Sequence, residues 1–81
     1  MSRGYNFIMN YETKRTLGLN IKIERMRKDY TQEKLAEALN ISVSHISKIE
    51  QGITSPTAYL LFRISKILNV QMEDFFKGIT N

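Results

Sequence analysis

Apolar residues recur along most of this chain at intervals of three and four, the spacing that lines one face of a helix. Leu17, Ile21 and the alkyl part of Arg25 share a face in a helix predicted from Leu17 to about Lys28. Leu35 and Leu39 do the same in a second helix from Gln32 to Leu39, and Ile46 and Ile49 in a third from Val43 to Gln51. A fourth, running to Leu68, sets Leu60, Leu61, Ile64, Ile67 and Leu68 at helical spacing. A short fifth helix near Met72 to Phe76 offers Phe75 or Phe76 as a lid. The first residues break the pattern. Tyr5, Phe7, Met9 and Tyr11 alternate with Asn6, Ile8 and Asn10, a period of two that suits a strand. Residues 1–16 therefore read as an arm that pairs with a second copy, lies on the helical core or stays without fixed structure. Met9 offers a second candidate start of translation beside Met1, and the residues do not choose between them.

The punctuation between these segments agrees with them. Asp29 and Tyr30 end the first helix, and Thr31 is an N-cap for the second, with Glu33 in its first turn. Asn40 enters the left-handed region readily and can stop a helix where glycine otherwise would. Ser42 caps the third helix and Gly52 ends it; Ile53 to Pro56 is a loop, Thr57 caps the fourth helix and Asn69 breaks it. Five helices with short connections make a compact all-α bundle.

One stretch carries more than architecture. From Gln32 to Glu50 the chain reads QEKLAEALNISVSHISKIE. Leu35, Leu39, Ile41, Ile46 and Ile49 supply contacts that lock two short helices at a steep angle, Ala36 lets their backbones approach, and Asn40 marks the turn. This is the pattern of a DNA-binding helix-turn-helix, whose first helix crosses the phosphate backbone while the second enters the major groove.

Composition narrows the alternatives. Eighty-one residues suit one domain and leave no room for a separate effector-binding domain. Without cysteine there is neither a disulfide framework nor a thiolate metal site, and a single histidine with no Gly-rich phosphate loop leaves little for catalysis. No apolar run approaches the ~18 residues of a membrane span, and no signal-peptide core is present, so a cytoplasmic protein is expected. The net charge is +4, but residues 1–28 hold seven of the twelve basic side chains against two acids. A polyanion would be gripped first by that third, while the reading helix is nearly neutral apart from Lys48.

From Leu17 to Phe76 the chain resembles the Cro and phage-repressor class of helix-turn-helix regulators, the xenobiotic-response-element family. The matching pieces are Leu17-Gly18 and Ile21, Arg25, the TQEKLAEAL block, the ISVSHISKIEQG block, Ser55-Pro56 and the closing LNVQMEDFF. Asp29 and Asn40 stand where the family most often has glycine, and both tolerate a left-handed backbone. Glu24 stands where an alanine or larger apolar residue is usual. The resemblance implies a lambda-repressor-like DNA-binding domain over residues 17–77, between the arm and a tail of residues 78–81. It also implies a buried salt bridge between Arg25 and Glu50, both on inward-facing positions.

The third helix presents Val43, Ser44, Ser47 and Lys48 opposite Ile46 and Ile49. The resemblance makes Val43, Ser44 and Lys48 base contacts, and their chemistry allows it. Lys48 can donate to guanine O6 or N7, Ser44 to several bases, and Val43 can pack on a thymine methyl. Ser47 is grouped with them. The resemblance also sets the amide of Gln32 against a phosphate, at a helix N-terminus that favours an anion. His45 lies on the flank of the third helix and is expected at a phosphate or simply exposed; with no companion ligand, a metal role is not expected. Thr54, Ser55 and Thr57 either donate to phosphates or serve as caps and turns, with no preference between the two.

The function expected is a sequence-specific transcriptional regulator, a repressor, that binds double-stranded DNA at a palindromic operator as a homodimer. It uses no cofactor, and neither a small-molecule effector nor a membrane partner is expected. Dimer contacts are sought at Phe75, Phe76 and Ile79 or in the Tyr5 to Tyr11 arm. The alternative is a protein-interaction module on the same fold, such as the antidote subunit of a toxin pair. No acid–base pair, nucleophile or metal set can be assembled for an enzyme.

Overall fold

Every α-helix of this protein starts from a polar side chain that accepts a hydrogen bond from the backbone N–H three residues on. In the computed structural model, which describes residues 10–79, Asn10 caps α1 (Tyr11–Arg27) through Thr13, and Thr31 caps α2 (Gln32–Leu39) through Lys34. Ser42 caps α3 (Val43–Glu50) through His45, and Thr57 caps α4 (Ala58–Leu68) through Leu60. These bonds run from 2.8 to 3.0 Å and each satisfies a donor that the helix cannot satisfy itself. A 3₁₀ helix, Met72–Phe76, closes the fold, and no strand occurs among the described residues.

Three helix ends use the left-handed backbone without glycine. Asp29, Asn40 and Asn69 take φ values of 61°, 60° and 57°, a region that short polar side chains enter at lower cost than others. After Asn40 the amide of Ile41 returns to the carbonyl of Ala36, and after Asn69 the amide of Val70 returns to that of Ser65, each at 3.0 Å. These bonds consume carbonyls orphaned at the helix ends.

The core gathers Leu17 and Ile21 of α1, Leu35, Ala36 and Leu39 of α2, Ile46 and Ile49 of α3, Leu60, Leu61, Ile64 and Leu68 of α4, and Phe75. The seam between α1 and α3 is the tightest. A Cβ at Gly18 would collide with the carbonyl oxygens of Ile49 and Glu50, so only glycine lets the two backbones come so close. Gly52, at φ 78°, lies against the backbone of Arg15 in the same way. At the other end, the two N–H groups of the Asn20 side chain reach the carbonyls of Phe75 and Lys77, both at 2.8 Å, and moor the 3₁₀ helix to α1.

Two expectations need correction. The first helix starts at Tyr11 rather than Leu17, so residues 11–16 belong to it and not to an arm. Asn10 is the cap, Glu12 favours the first turn, Arg15 stacks 5.6 Å over the ring of Tyr11, and Gly52 receives the added turns. The alternation over Tyr5 to Met9 lies outside the described residues. The fifth helix is a single 3₁₀ segment, so the α-helices among the described residues number four. Five residues are too few to offset the cost of an α-helical nucleus. Reciprocal backbone and side-chain bonds between Gln71 and Asp74 hold it instead.

Candidate nucleic-acid interface

The apolar side of α3 is fully used: Ile46 and Ile49 are buried against α1 and α2. Its other side is open. Val43 is 37% exposed, and Ser44 and Lys48 are exposed with side chains that make no hydrogen bond among the described residues. A valine left more than a third exposed, beside a hydroxyl and an ammonium with no hydrogen-bond partner among the described residues, offers the groups that suit a thymine methyl and base edges. Ser47 is half-buried, and its Oγ accepts 2.7 Å from Nε2 of Gln51, leaving its hydroxyl hydrogen to donate elsewhere. Gln51 was not among the expected site residues. Its spacing of four from Ser47 across the helix end is the signal that points to it.

Behind this face lies a buried charged network. Nε of Arg25 donates to Oε2 of Glu50 at 2.6 Å and a second guanidinium nitrogen to Oε1 at 3.1 Å, with side chains 9% and 3% exposed. The third guanidinium nitrogen reaches the carbonyl of Tyr30 at 2.7 Å, next to the cap of α2. Gln32, the first residue of α2, is half-buried and donates through Nε2 to Oε1 of Glu50 at 2.9 Å. Glu24, the departure noted in α1, is also buried and lies 3.5 Å from Arg27. Arg25 thus spends its charge on Glu50, which lies outside residues 1–28, so less of the basic excess of that segment is left for a polyanion.

The flanking residues divide. His45 is half-buried on the flank of α3. The loop after α3 folds back on Lys48, whose carbonyl accepts from Ile53 at 2.9 Å and Thr54 at 3.4 Å; Thr54 and Ser55 are half-buried there. Thr57 is exposed, yet its oxygen caps α4, so its structural role is filled. Arg63, also absent from the expected set, donates to the carbonyls of Leu39 at 2.9 Å and Ala38 at 3.4 Å, closing the C-terminal end of α2. Phe75 is removed from the expected dimer contacts: it is 0% exposed and belongs to the core, because the 3₁₀ helix turns it beneath α1 and α4. Phe76 is 40% exposed and Ile79 half-buried. No cluster of three or more His, Cys, Asp or Glu that could hold a metal occurs among the described residues. Among the described residues no helix is long and apolar enough to cross a membrane.

The HTH_3 helix-turn-helix family profile matches residues 21–75, which takes in α2, the turn, α3 and their supports. The chain belongs to this family. The chain is similar to the HTH-type transcriptional regulators SlrR of Bacillus subtilis, 35% identical over 65 residues, and DicA of Escherichia coli, 43% identical over 58 residues. The matches take in 79% and 70% of this chain but 43% of each of those regulators, so the chain spans less than half their length. The crystal structure of the gene regulator ClgR from C. glutamicum superposes with a TM-score of 0.75 at 26% identity, over 79% of this chain and 83% of that one. The restriction-modification controller protein C.AhdI from Aeromonas hydrophila shares the fold, with a TM-score of 0.77 at 20% identity, over 82% of this chain and all of that one. The HTH_3 domain described here is the DNA-binding domain of transcriptional regulators.

Proposed function

We propose that this protein is a sequence-specific transcriptional repressor that binds a palindromic operator in double-stranded DNA as a homodimer. In this reading α3 enters the major groove, Val43, Ser44, Ser47 and Lys48 meet base edges, and Gln32 meets a phosphate. His45, Thr54, Ser55 and Thr57 line the adjoining backbone path. The observation that carries it is the open side of α3, where donors and a methyl-packing surface stand free on a helix whose other side is locked into the core. One such helix reads only a few base pairs. A second copy reading an inverted half-site ~34 Å away supplies the remaining specificity, with Phe76 and Ile79 as candidate contacts.

Selection of bound duplexes from a random pool tests the reading. A dominant inverted repeat with half-sites ~10 base pairs apart, centre to centre, is expected; a single unrepeated motif would remove the homodimer. A reporter whose promoter overlaps the selected site should lose expression when the protein is supplied, and a gain would make it an activator.

A second reading rests on α1. Leu19, Ile23 and Met26 are exposed along the side of α1 opposite Leu17 and Ile21, which supports a protein-binding role for the same domain. Under that reading, replacing Ile23 by serine abolishes capture of the partner and leaves operator binding intact.

A further inference from the structure

We propose that Glu50, clamped by Arg25, is a positioning residue for the phosphate contact of Gln32, so that the buried pair sets DNA affinity as well as stability. The inference rests on the reading of Gln32 as a phosphate contact and names what makes that contact effective. A carboxylate can only accept, so the bond at 2.9 Å fixes which end of the Gln32 amide faces Glu50: the nitrogen end. One amide hydrogen is held there and the second remains to be donated to an anion. An unrestrained glutamine at a helix start samples several rotamers and both amide orientations, and binding must then select one of them.

Arg25 supplies what a lone glutamate could not. A carboxylate beside a phosphate site would repel the ligand, but Arg25 donates to both oxygens of Glu50 and neutralises it within the low-dielectric seam. The same guanidinium holds the carbonyl of Tyr30, immediately before the Thr31 cap. Side chain and backbone at the start of α2 are therefore fixed to the last residue of α3. The expected grip on the backbone and the expected reading helix are held in one register by a single buried ion pair.

A mutant cycle on a random-sequence DNA duplex, read by fluorescence anisotropy at low salt, separates positioning from mere support. Gln32→Ala and Glu50→Gln are each expected to weaken binding ~5-fold, the size of one ordinary hydrogen bond. In the double variant Glu50→Gln should add nothing, because its effect passes through Gln32. A Glu50→Gln loss of equal size with and without Gln32 would overturn the positioning role. An affinity unaltered by Gln32→Ala would instead remove the phosphate contact itself, a separate failure. Circular dichroism fixes a temperature at which all variants are folded. If Glu50→Gln does not fold, the side-chain amide of Gln32 in the unaltered protein decides by NMR. One of its two protons should be displaced from the ordinary glutamine position and protected from exchange, and two protons at ordinary glutamine shifts, both exchanging rapidly, would refute the proposal.

Discussion

Arg25 and Glu50 meet side by side across the α1–α3 seam, with two nitrogens of one guanidinium donating to the two oxygens of one carboxylate. Both are buried, and each has a further partner, Tyr30 for the arginine and Gln32 for the glutamate. Such a pair is weak evidence of net stabilisation, since desolvating both charges offsets much of their attraction. Breaking it is another matter.

Arg25→Ala leaves Glu50 charged, buried and without its strongest donor. The expected loss is ~3–5 kcal/mol, read as a shift of the urea midpoint at constant slope. A loss below about 1 kcal/mol, typical of exposed pairs, would show that the seam opens to water.

Gly18→Ala has an unusual expected sign. Within a helix, this exchange ordinarily stabilises by about 0.5–1 kcal/mol. Here the new methyl meets backbone carbonyls of Ile49 and Glu50, which cannot swing aside as a side chain could. A net destabilisation is expected, with overpacking costing ~1–3 kcal/mol. Leu19→Ala, one residue on and exposed, serves as the control. A raised melting temperature for Gly18→Ala would contradict the close approach.

Lys48→Ala should cost on the order of 1–3 kcal/mol on the selected operator and relax the choice of base at one position per half-site. Gln32→Ala should weaken all sequences alike and preserve their ranking. Single-base operator variants, measured with both proteins at two salt concentrations, distinguish the cases. An unchanged preference profile for Lys48→Ala would assign that ammonium to a phosphate and leave Val43 and Ser44 to carry specificity.

Phe75 and Phe76 are neighbours with opposite fates, one buried and one exposed. Phe75→Ala should destabilise the fold by ~3–5 kcal/mol. Phe76→Ala should barely alter unfolding but weaken self-association in sedimentation. A dimer indifferent to Phe76 would move the interface away from the 3₁₀ helix.

Much of this was legible in the residues, for identifiable reasons. The strong apolar spacing from Leu35 to Ile49 and from Leu60 to Leu68 located α2, α3 and α4, and Asp29 and Asn40 declared themselves as left-handed stops through their short polar side chains, with Asn69 legible as a helix end. The start of α1 was hidden because residues 11–16, YETKRT, hold one apolar side chain, Tyr11, so the helical period that Leu17 and Ile21 declare does not extend back through them. The alternation ending at Tyr11 also masked the Asn10 cap. Periodicity placed Phe75 at the closing turn but could not say whether it pointed in or out, because over five residues a 3₁₀ and an α path turn side chains differently. The role of Arg63 depended on which helix ends lie together, and only three dimensions supply that.

Arg63 has a consequence at the opposite end of α2 from Gln32. Its guanidinium seals the carbonyls of Leu39 and Ala38, while Gln32 is tethered at the front. An eight-residue helix is too short to persist alone in water, yet this one is staked at both ends and cannot fray without breaking tertiary bonds. In the proposed complex, DNA meets a surface that is already assembled. Little ordering entropy would then be lost from α2 on association, and the adjustment needed for a good fit would fall on the duplex, whose local bendability would become a further term in the choice of site.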